Sequence, residues 1–224
     1  RMNDAQGRYI EFCKSSFTNL DLRNLSILLD CANGATYSVA PKVFSELGAK
    51  VDVIGSSPDG ININQNCGST NPKFLKEEIM KGSYDLGIAF DGDGDRVLIV
   101  TSDGEILDGD DILYILSKNL PSDSGVIGTL MTNKALELHF QKNNISFLRT
   151  DVGDKYVLHR LIEESWLLGG EPSGHIICLD SSPTGDAIIA ALKVLDSIKD
   201  THFSLQKSLQ EFKKFPQTLY NLKV

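Results

Sequence analysis

The stretch Asp91-Gly92-Asp93-Gly94-Asp95-Arg96 lies between two apolar runs, Leu86–Phe90 and Val97–Thr101. Three carboxylates at alternate positions suggest one kind of chemistry. In extended backbone, alternate side chains share a face, so the spacing aims all three the same way. Two unit charges ~4 Å apart repel by ~4 kcal/mol at an effective dielectric of about 20. A cation among them relieves that cost. With no His or Cys alongside, oxygen donors favour a hard ion, Mg²⁺ first, with Asp91, Asp93 and Asp95 as its ligands. Gly92 and Gly94 let the chain curve through the site. Arg96 either neutralises the aspartates or grips a phosphate bidentately beside the metal.

The plain alternative is a solvated Asp/Gly turn joining two strands. An EF-hand wants Gly at the sixth loop position and Glu at the twelfth. Counted from Asp91, those places hold Arg96 and Ser102, so that reading fails. A dinucleotide fingerprint fails as well: Val97 stands where its third glycine belongs, and the acidic residues would repel a bare pyrophosphate.

A second polar loop, Gly169-Gly-Glu-Pro-Ser-Gly-His175, lies between two short apolar runs. Glu171 can accept hydrogen bonds from two sugar hydroxyls, and Ser173 and His175 add donors or acceptors. A tight turn with a capping serine explains the same residues without a ligand. Ser173 is not the nucleophile of a G-x-S-x-G elbow, because the order here is G-E-P-S-G. Thr150–Lys155 sits between a strand and a helix, with Asp154 as a candidate cap and Lys155 free to reach a ligand from the first turn. Thr184-Gly-Asp186 opens a long helix in the same way, as a structural cap.

The elements that must position these loops alternate along the chain. Strands are predicted at Ser26–Asp30, Lys50–Ile54, Leu86–Phe90 and Val97–Thr101. Helices are predicted over Thr36–Leu47 and from an Asn71-Pro72 cap to Lys81. A second series places helices at Asp110–Asn119, Asn133–Lys142, Asp154–Glu164 and Asp186–Lys199. Strands near Val126–Thr129, Ser146–Arg149, Leu167 and Ile176–Leu179 fall between them. Such alternation predicts an α/β class, two consecutive α/β domains with mixed sheets covered by helices. The division is expected at 1–104 and 105–224. Phe215–Val224 reads as a linker and a strand seeking a partner. No tandem repeat at short period is visible.

The chain has 224 residues, 41% of them hydrophobic, enough to bury a core without disulfides or metal staples. Its net charge of −8 argues against a nucleic-acid or anionic-membrane partner, since phosphate backbones demand a basic face. No apolar stretch approaches the ~20 residues of a membrane span. Cys13, Cys31, Cys67 and Cys178 form no C-x-x-C pair and read as reduced thiols of a cytoplasmic protein.

DGDGDR at Asp91–Arg96 and GEPSGH at Gly170–His175 resemble the metal-binding and sugar-binding loops of the α-D-phosphohexomutases. GRYIEFCK (Gly7–Lys14), LLDCANGA (Leu28–Ala35), NINQNCGST (Asn62–Thr70), VGDKYV (Val152–Val157) and FPQTLYNLKV (Phe215–Val224) are similar to the branch that acts on glucosamine phosphate. The resemblance covers essentially the whole chain and implies the second and third of the family's four domains. It implies phosphate exchange between O6 and O1 of a hexosamine phosphate through a phosphoserine and a bisphosphate intermediate, supplying amino-sugar and cell-wall synthesis. Mg²⁺ would sit on Asp91, Asp93 and Asp95; Arg96 and Lys155 would assist; Glu171, Ser173 and His175 would bind substrate. Lys155 stands where the family usually has arginine, Asn71 where it often has histidine, and Ala187 where it often has glycine. The phosphoserine and the phosphate-binding loop belong to the first and fourth domains, whose motifs are not found in this sequence, so the chain alone is expected to be inactive. The alternatives are the branch acting on mannose and glucose phosphates, or a non-catalytic module binding Mg²⁺ and a sugar phosphate.

Overall fold

The computed structural model describes residues 4–218 and 220. The first unit begins with helix α1 (Ala5–Ser15), followed by β1 (Ser26–Asp30), α2 (Ala40–Glu46), β2 (Lys50–Ile54) and α3 (Lys73–Lys81). It closes with β3 (Leu86–Phe90), β4 (Val97–Thr101) and β5 (Ile106–Leu107). The second contains α4 (Gly109–Ser117), β6 (Gly125–Thr129), α5 (Lys134–Lys142), β7 (Ser146–Thr150) and α6 (Asp154–Glu164). It continues with β8 (Leu168–Gly170), β9 (Ile176–Cys178), α7 (Ala187–Ile198) and α8 (Leu205–Ser208).

The strands form two mixed sheets, ordered β2-β1-β3-β4-β5 and β7-β6-β8-β9. Each begins from a central strand with parallel partners on both sides, reached by helical crossovers. In each, the third strand then turns back into an antiparallel neighbour, β3 into β4 and β8 into β9. The two reversals carry the acidic loop and the glycine-rich loop. The turn at Asp103-Gly104 brings β5 back along β4, so the first sheet extends through Leu107.

Buried apolar runs explain the sheets. Every residue of β3 and β4 is buried, as a central strand covered on both faces requires. Helix α7 is apolar nearly all round, with Ile188, Ile189, Leu192, Val194, Leu195 and Ile198 all buried. It packs against β4 of the first sheet and against β9 and α4 of the second. One continuous apolar core therefore runs through both units. Only Asp108 separates β5 from α4, and it serves as the N-cap: its side chain accepts from Asp110 N at 3.0 Å while Asp111 Oδ2 accepts its own N–H at 2.9 Å. Among the described residues no helix is long and apolar enough to cross a membrane.

Some boundaries differ from expectation for local reasons. The helix expected over Thr36–Leu47 splits into a 3₁₀ turn at Ala35–Ser38 and α2. Pro41 lies in the first turn of α2, where its ring restricts the residue before it and cannot continue an earlier helix. Asn71 does not cap α3; Pro72 holds that place without a side-chain bond. Asp154 does not cap α6 either. Gly153 is the N-cap, and Asp154 contributes only its charge to the first turn. Asn133 and Asp186 do cap, accepting from Ala135 N and Ile189 N. Of the C-terminal stretch, Phe215 N donates to Asn133 Oδ1 at 3.0 Å and Asn133 Nδ2 donates back to Phe215 O at 2.9 Å. Residues 219 and 221–224 of the expected strand lie outside the described residues. All four cysteines are free and buried, and burial pushes the Cys13, Cys31 and Cys178 thiols up to about 12.

Asp110, 2% exposed, accepts from Asn133 N at 2.8 Å. Burial, with the nearby charges of Asp108 and Asp111, pushes its carboxyl up to about 7, against the pull of the Asn133 amide and the Lys214 charge. Unfolded, it titrates at about 3.9. A folded value raised in this way means stability present below about pH 4 and lost as pH rises through about 7. Asp110→Asn removes that dependence. The difference in unfolding free energy should therefore move in the variant's favour, by up to about 4 kcal/mol, between pH 4 and pH 8. Urea denaturation of both proteins across that range measures it.

Candidate functional site

The acidic loop is a curled hairpin turn rather than extended chain. Phe90 pairs with Val97, and Asp91 N donates to Arg96 O at 3.3 Å, so six residues close on themselves. Asp91 Oδ1 then accepts from the amides of Gly94, Asp95 and Arg96 at 3.2, 3.2 and 3.1 Å. Gly94 takes φ +81°, a conformation costly for a side chain with a Cβ. The three aspartates do converge, with one carboxylate oxygen from each of Asp91, Asp93 and Asp95 lying within 4.8 Å of the others. The cause is this inward coil, not the alternate-face geometry the spacing suggested.

Each side chain has a distinct setting. Asp91 is buried at 5%, Asp95 is half-buried and Asp93 is exposed. Burial first, and then the charges of Asp95 and Asp93, push the Asp91 carboxyl up to about 6 against the Arg96 amide's pull. Asp95 Oδ2 lies 3.1 Å from His175 Nδ1. Its other oxygen, Oδ1, is buried and has no hydrogen-bond partner among the described residues. Arg96 is half-exposed, its Nε 3.8 Å from both Asp91 Oδ2 and Asp95 Oδ1, too long for a hydrogen bond.

Four other segments hold this loop. Behind it, Ala35 N donates to Gly92 O at 2.8 Å from the turn after β1. That turn is itself stapled by buried Asp30, which accepts from Ala32 N at 3.0 Å and Gly68 N at 2.7 Å. Above it, Ile63 and Asn64 cover Gly92. From α7, Ala187 N donates to Gly94 O at 3.0 Å. From the second sheet comes the glycine-rich loop: Val97 N donates to Gly174 O at 3.0 Å, and Arg96 and His175 form an antiparallel bridge. Gly174 has φ +92°, and a Cβ there would lie 2.3 Å from Val97 O, so only glycine lets the two backbones meet.

The structure thus joins loops about 80 residues apart in sequence. His175, 4% exposed, faces Asp95 rather than open solvent. Glu171, 9% exposed, accepts from Gly153 N at 2.9 Å through Oε1, which ties the Thr150–Lys155 turn to the same loop. Ser173 stands exposed at the loop tip. Lys155 is exposed on the first turn of α6 with its ammonium 4.7 Å from the Tyr156 ring centre, and among the described residues it makes no ion pair with the acidic loop. Sequence reasoning missed the supports, among them Tyr9, whose hydroxyl meets Asp186. The stretches that hold them, near Gly7–Lys14 and Leu28–Ala35, carried the family resemblance without a visible reason.

The profile of the phosphoglucomutase/phosphomannomutase alpha/beta/alpha domain II matches residues 7–104, and that of domain III matches residues 108–215. The chain belongs to this family. A phosphoglucosamine mutase of Acinetobacter baumannii is 54% identical over 228 aligned positions, which take in all of this chain and 51% of that protein. The chain spans about half the length of the curated relatives it matches. Among solved structures, a phosphoglucomutase/phosphomannomutase family protein from Burkholderia thailandensis superposes with a TM-score of 0.79 at 23% identity, covering 93% of this chain and 46% of that one. An Aspergillus fumigatus N-acetylphosphoglucosamine mutase in complex with GlcNAc-6P and magnesium superposes at 0.77 and 19% identity, covering 96% and 51%. These two likenesses confirm the fold, two alpha/beta/alpha domains with mixed sheets flanked by helices.

Asp91 and Asp93 should separate cleanly in metal-free unfolding. Asp91→Ala orphans three loop amides and should cost about 1–3 kcal/mol. Asp93→Asn, at an exposed position, should change stability by less than about 0.5 kcal/mol. Denaturation in the presence of a chelator reads both.

Proposed function

We propose that this chain is the metal- and sugar-binding centre of a phosphoglucosamine mutase, an isomerase that interconverts glucosamine 6-phosphate and glucosamine 1-phosphate. Residues 1–104 form its metal-binding domain and residues 105–224 its sugar-binding domain in this reading. The observation that carries it is the direct join between the two loops, Val97 with Gly174 and Asp95 with His175, which butts the glycine-rich loop against a converging carboxylate trio. The 54% identity with phosphoglucosamine mutases over the whole chain supports that branch over the one acting on mannose and glucose phosphates. The phosphoryl donor is taken to be a phosphoserine in a part of the protein that this chain does not include. Such a role in amino-sugar supply for the cell wall fits a cytoplasmic protein.

The donor set suits Mg²⁺. All three ligands are oxygens, Asp95 Oδ1 is buried with no hydrogen-bond partner among the described residues, and burial and the neighbouring aspartates raise the Asp91 carboxyl, a cost that a cation would relieve. Bound there, magnesium would offset the charge on the transferring phosphoryl oxygens. The chain's own groups do the rest. Asp91 keeps one oxygen on the loop amides and presents the other. His175 fixes the rotation of Asp95. Arg96, unpaired at hydrogen-bonding distance, is available to grip a phosphate oxygen. Glu171 and Ser173 hold sugar hydroxyls, and a carboxylate that accepts from either of two hydroxyls serves both substrate orientations. Lys155 adds positive charge without the planar fork of an arginine.

Calorimetric titration with Mg²⁺ should show binding that Asp93→Asn weakens by at least about tenfold. Unchanged binding would reduce the loop to an ordinary turn. In the full-length protein, glucosamine phosphate should be turned over faster than glucose or mannose phosphate. Glu171→Ala should lower kcat/KM by about 100-fold, as expected when a group that holds the transition state is lost. A preference for mannose phosphate in that assay would move the chain to the other branch.

A further inference from the structure

The acidic loop is reached from the opposite end of the chain by a line of three contacts. Tyr9 is half-buried on α1, and its Oη lies 2.9 Å from both carboxylate oxygens of Asp186. Asp186 caps α7, accepting from Ile189 N at 3.0 Å. The next residue, Ala187, donates its N–H to Gly94 O. Gly94 stands between Asp93 and Asp95, so the place of its carbonyl fixes the peptide units that carry two of the three carboxylates. Tyr9, Asp186, Asp93 and Asp95 also line one cavity of about 260 Å³.

We propose that Tyr9 and Asp186 are positioning residues for the divalent-cation site, acting on it through the first turn of α7. The proposal rests on the magnesium reading above. Its physical basis is a charge-assisted hydrogen bond, roughly twice as strong as a neutral one. Burial and the Asp186 charge raise the Tyr9 hydroxyl far above its ordinary value, so it remains a donor throughout the working pH range. One hydroxyl held between two oxygens fixes the rotation of the Asp186 side chain. That rotation sets where α7 begins, and Ala187 passes the placement to the loop. It also keeps the Asp186 carboxylate, which lines this cavity with Asp93 and Asp95, engaged by a donor. The pair lies 177 residues apart. A tie that only stabilised the fold would need no link to Gly94.

The test titrates Mn²⁺ into the protein, followed by electron paramagnetic resonance, for wild type, Asp93→Asn, Tyr9→Phe, Asp186→Ser and the Tyr9→Phe/Asp186→Ser pair, with thermal unfolding of each. Wild type should bind, and Asp93→Asn should bind at least about tenfold more weakly. If wild type fails to bind, the metal reading falls and this proposal falls with it. Given wild-type binding, Tyr9→Phe should raise Kd about tenfold, the scale of losing an outer partner of a metal ligand. Asp186→Ser retains a capping oxygen but is too short to reach Tyr9 Oη, and should raise Kd to a similar extent. The double variant should be no worse than either single one, because both remove the same contact. A wild-type Kd in Tyr9→Phe and Asp186→Ser, whatever their Tm, would overturn the proposal while leaving the metal site standing.

Discussion

The crowding of negative charge at one bend is the constraint around which this molecule is arranged. Three carboxylate oxygens within 4.8 Å repel one another, and the most buried of them sits where water cannot screen the field. The protein answers by engaging one oxygen of Asp91 with three amides and one oxygen of Asp95 with an imidazole. What results is one carboxylate oxygen from each of the three aspartates gathered within 4.8 Å of the others. Without those donors the side chains would rotate apart into solvent, and the bend would be an ordinary acidic turn.

The surrounding fold makes that arrangement affordable by using one plan twice. In both sheets the third strand reverses into an antiparallel partner, and in both the reversal carries one of the two polar loops. The two reversals meet edge to edge through Arg96, Val97, Gly174 and His175. A hairpin turn is a natural place for irregular backbone, since the strands on either side fix its ends. Butting two such turns together lets each supply the other's missing hydrogen bonds. The family resemblance to the phosphoglucomutase/phosphomannomutase domains thus has a mechanical content: the two motifs are halves of one joint.

Much of this was legible in the sequence. The α/β class followed from alternating apolar runs and amphipathic stretches. β1, β3 and β4 have the expected ends, because a buried strand announces itself by a short apolar run; β2 has them too, although none of its residues is fully buried. Helix α1 gave no such signal: only Ile10 and Cys13 are buried on it, and no side chain caps it. Strand β5, two residues long, is too short to show a period. In the acidic loop the residue types gave the right convergence for the wrong reason, since a carboxylate that turns back onto its own backbone overrides the pleat of extended chain. His175 was legible as polar but not as the partner of Asp95, and Tyr9 was not legible at all. Contacts between residues 80 or 177 positions apart leave no local pattern.

The passage from the first sheet to the second, by way of Asp108 alone, has a mechanical corollary. A hinge needs slack residues to absorb changes in backbone angle, and here a helix cap occupies the only candidate. With α7 wedged against both sheets, swinging one unit away from the other would expose the shared core. The two units therefore cannot part like jaws; they behave as a fixed anvil on which the acidic and glycine-rich loops keep their relative places.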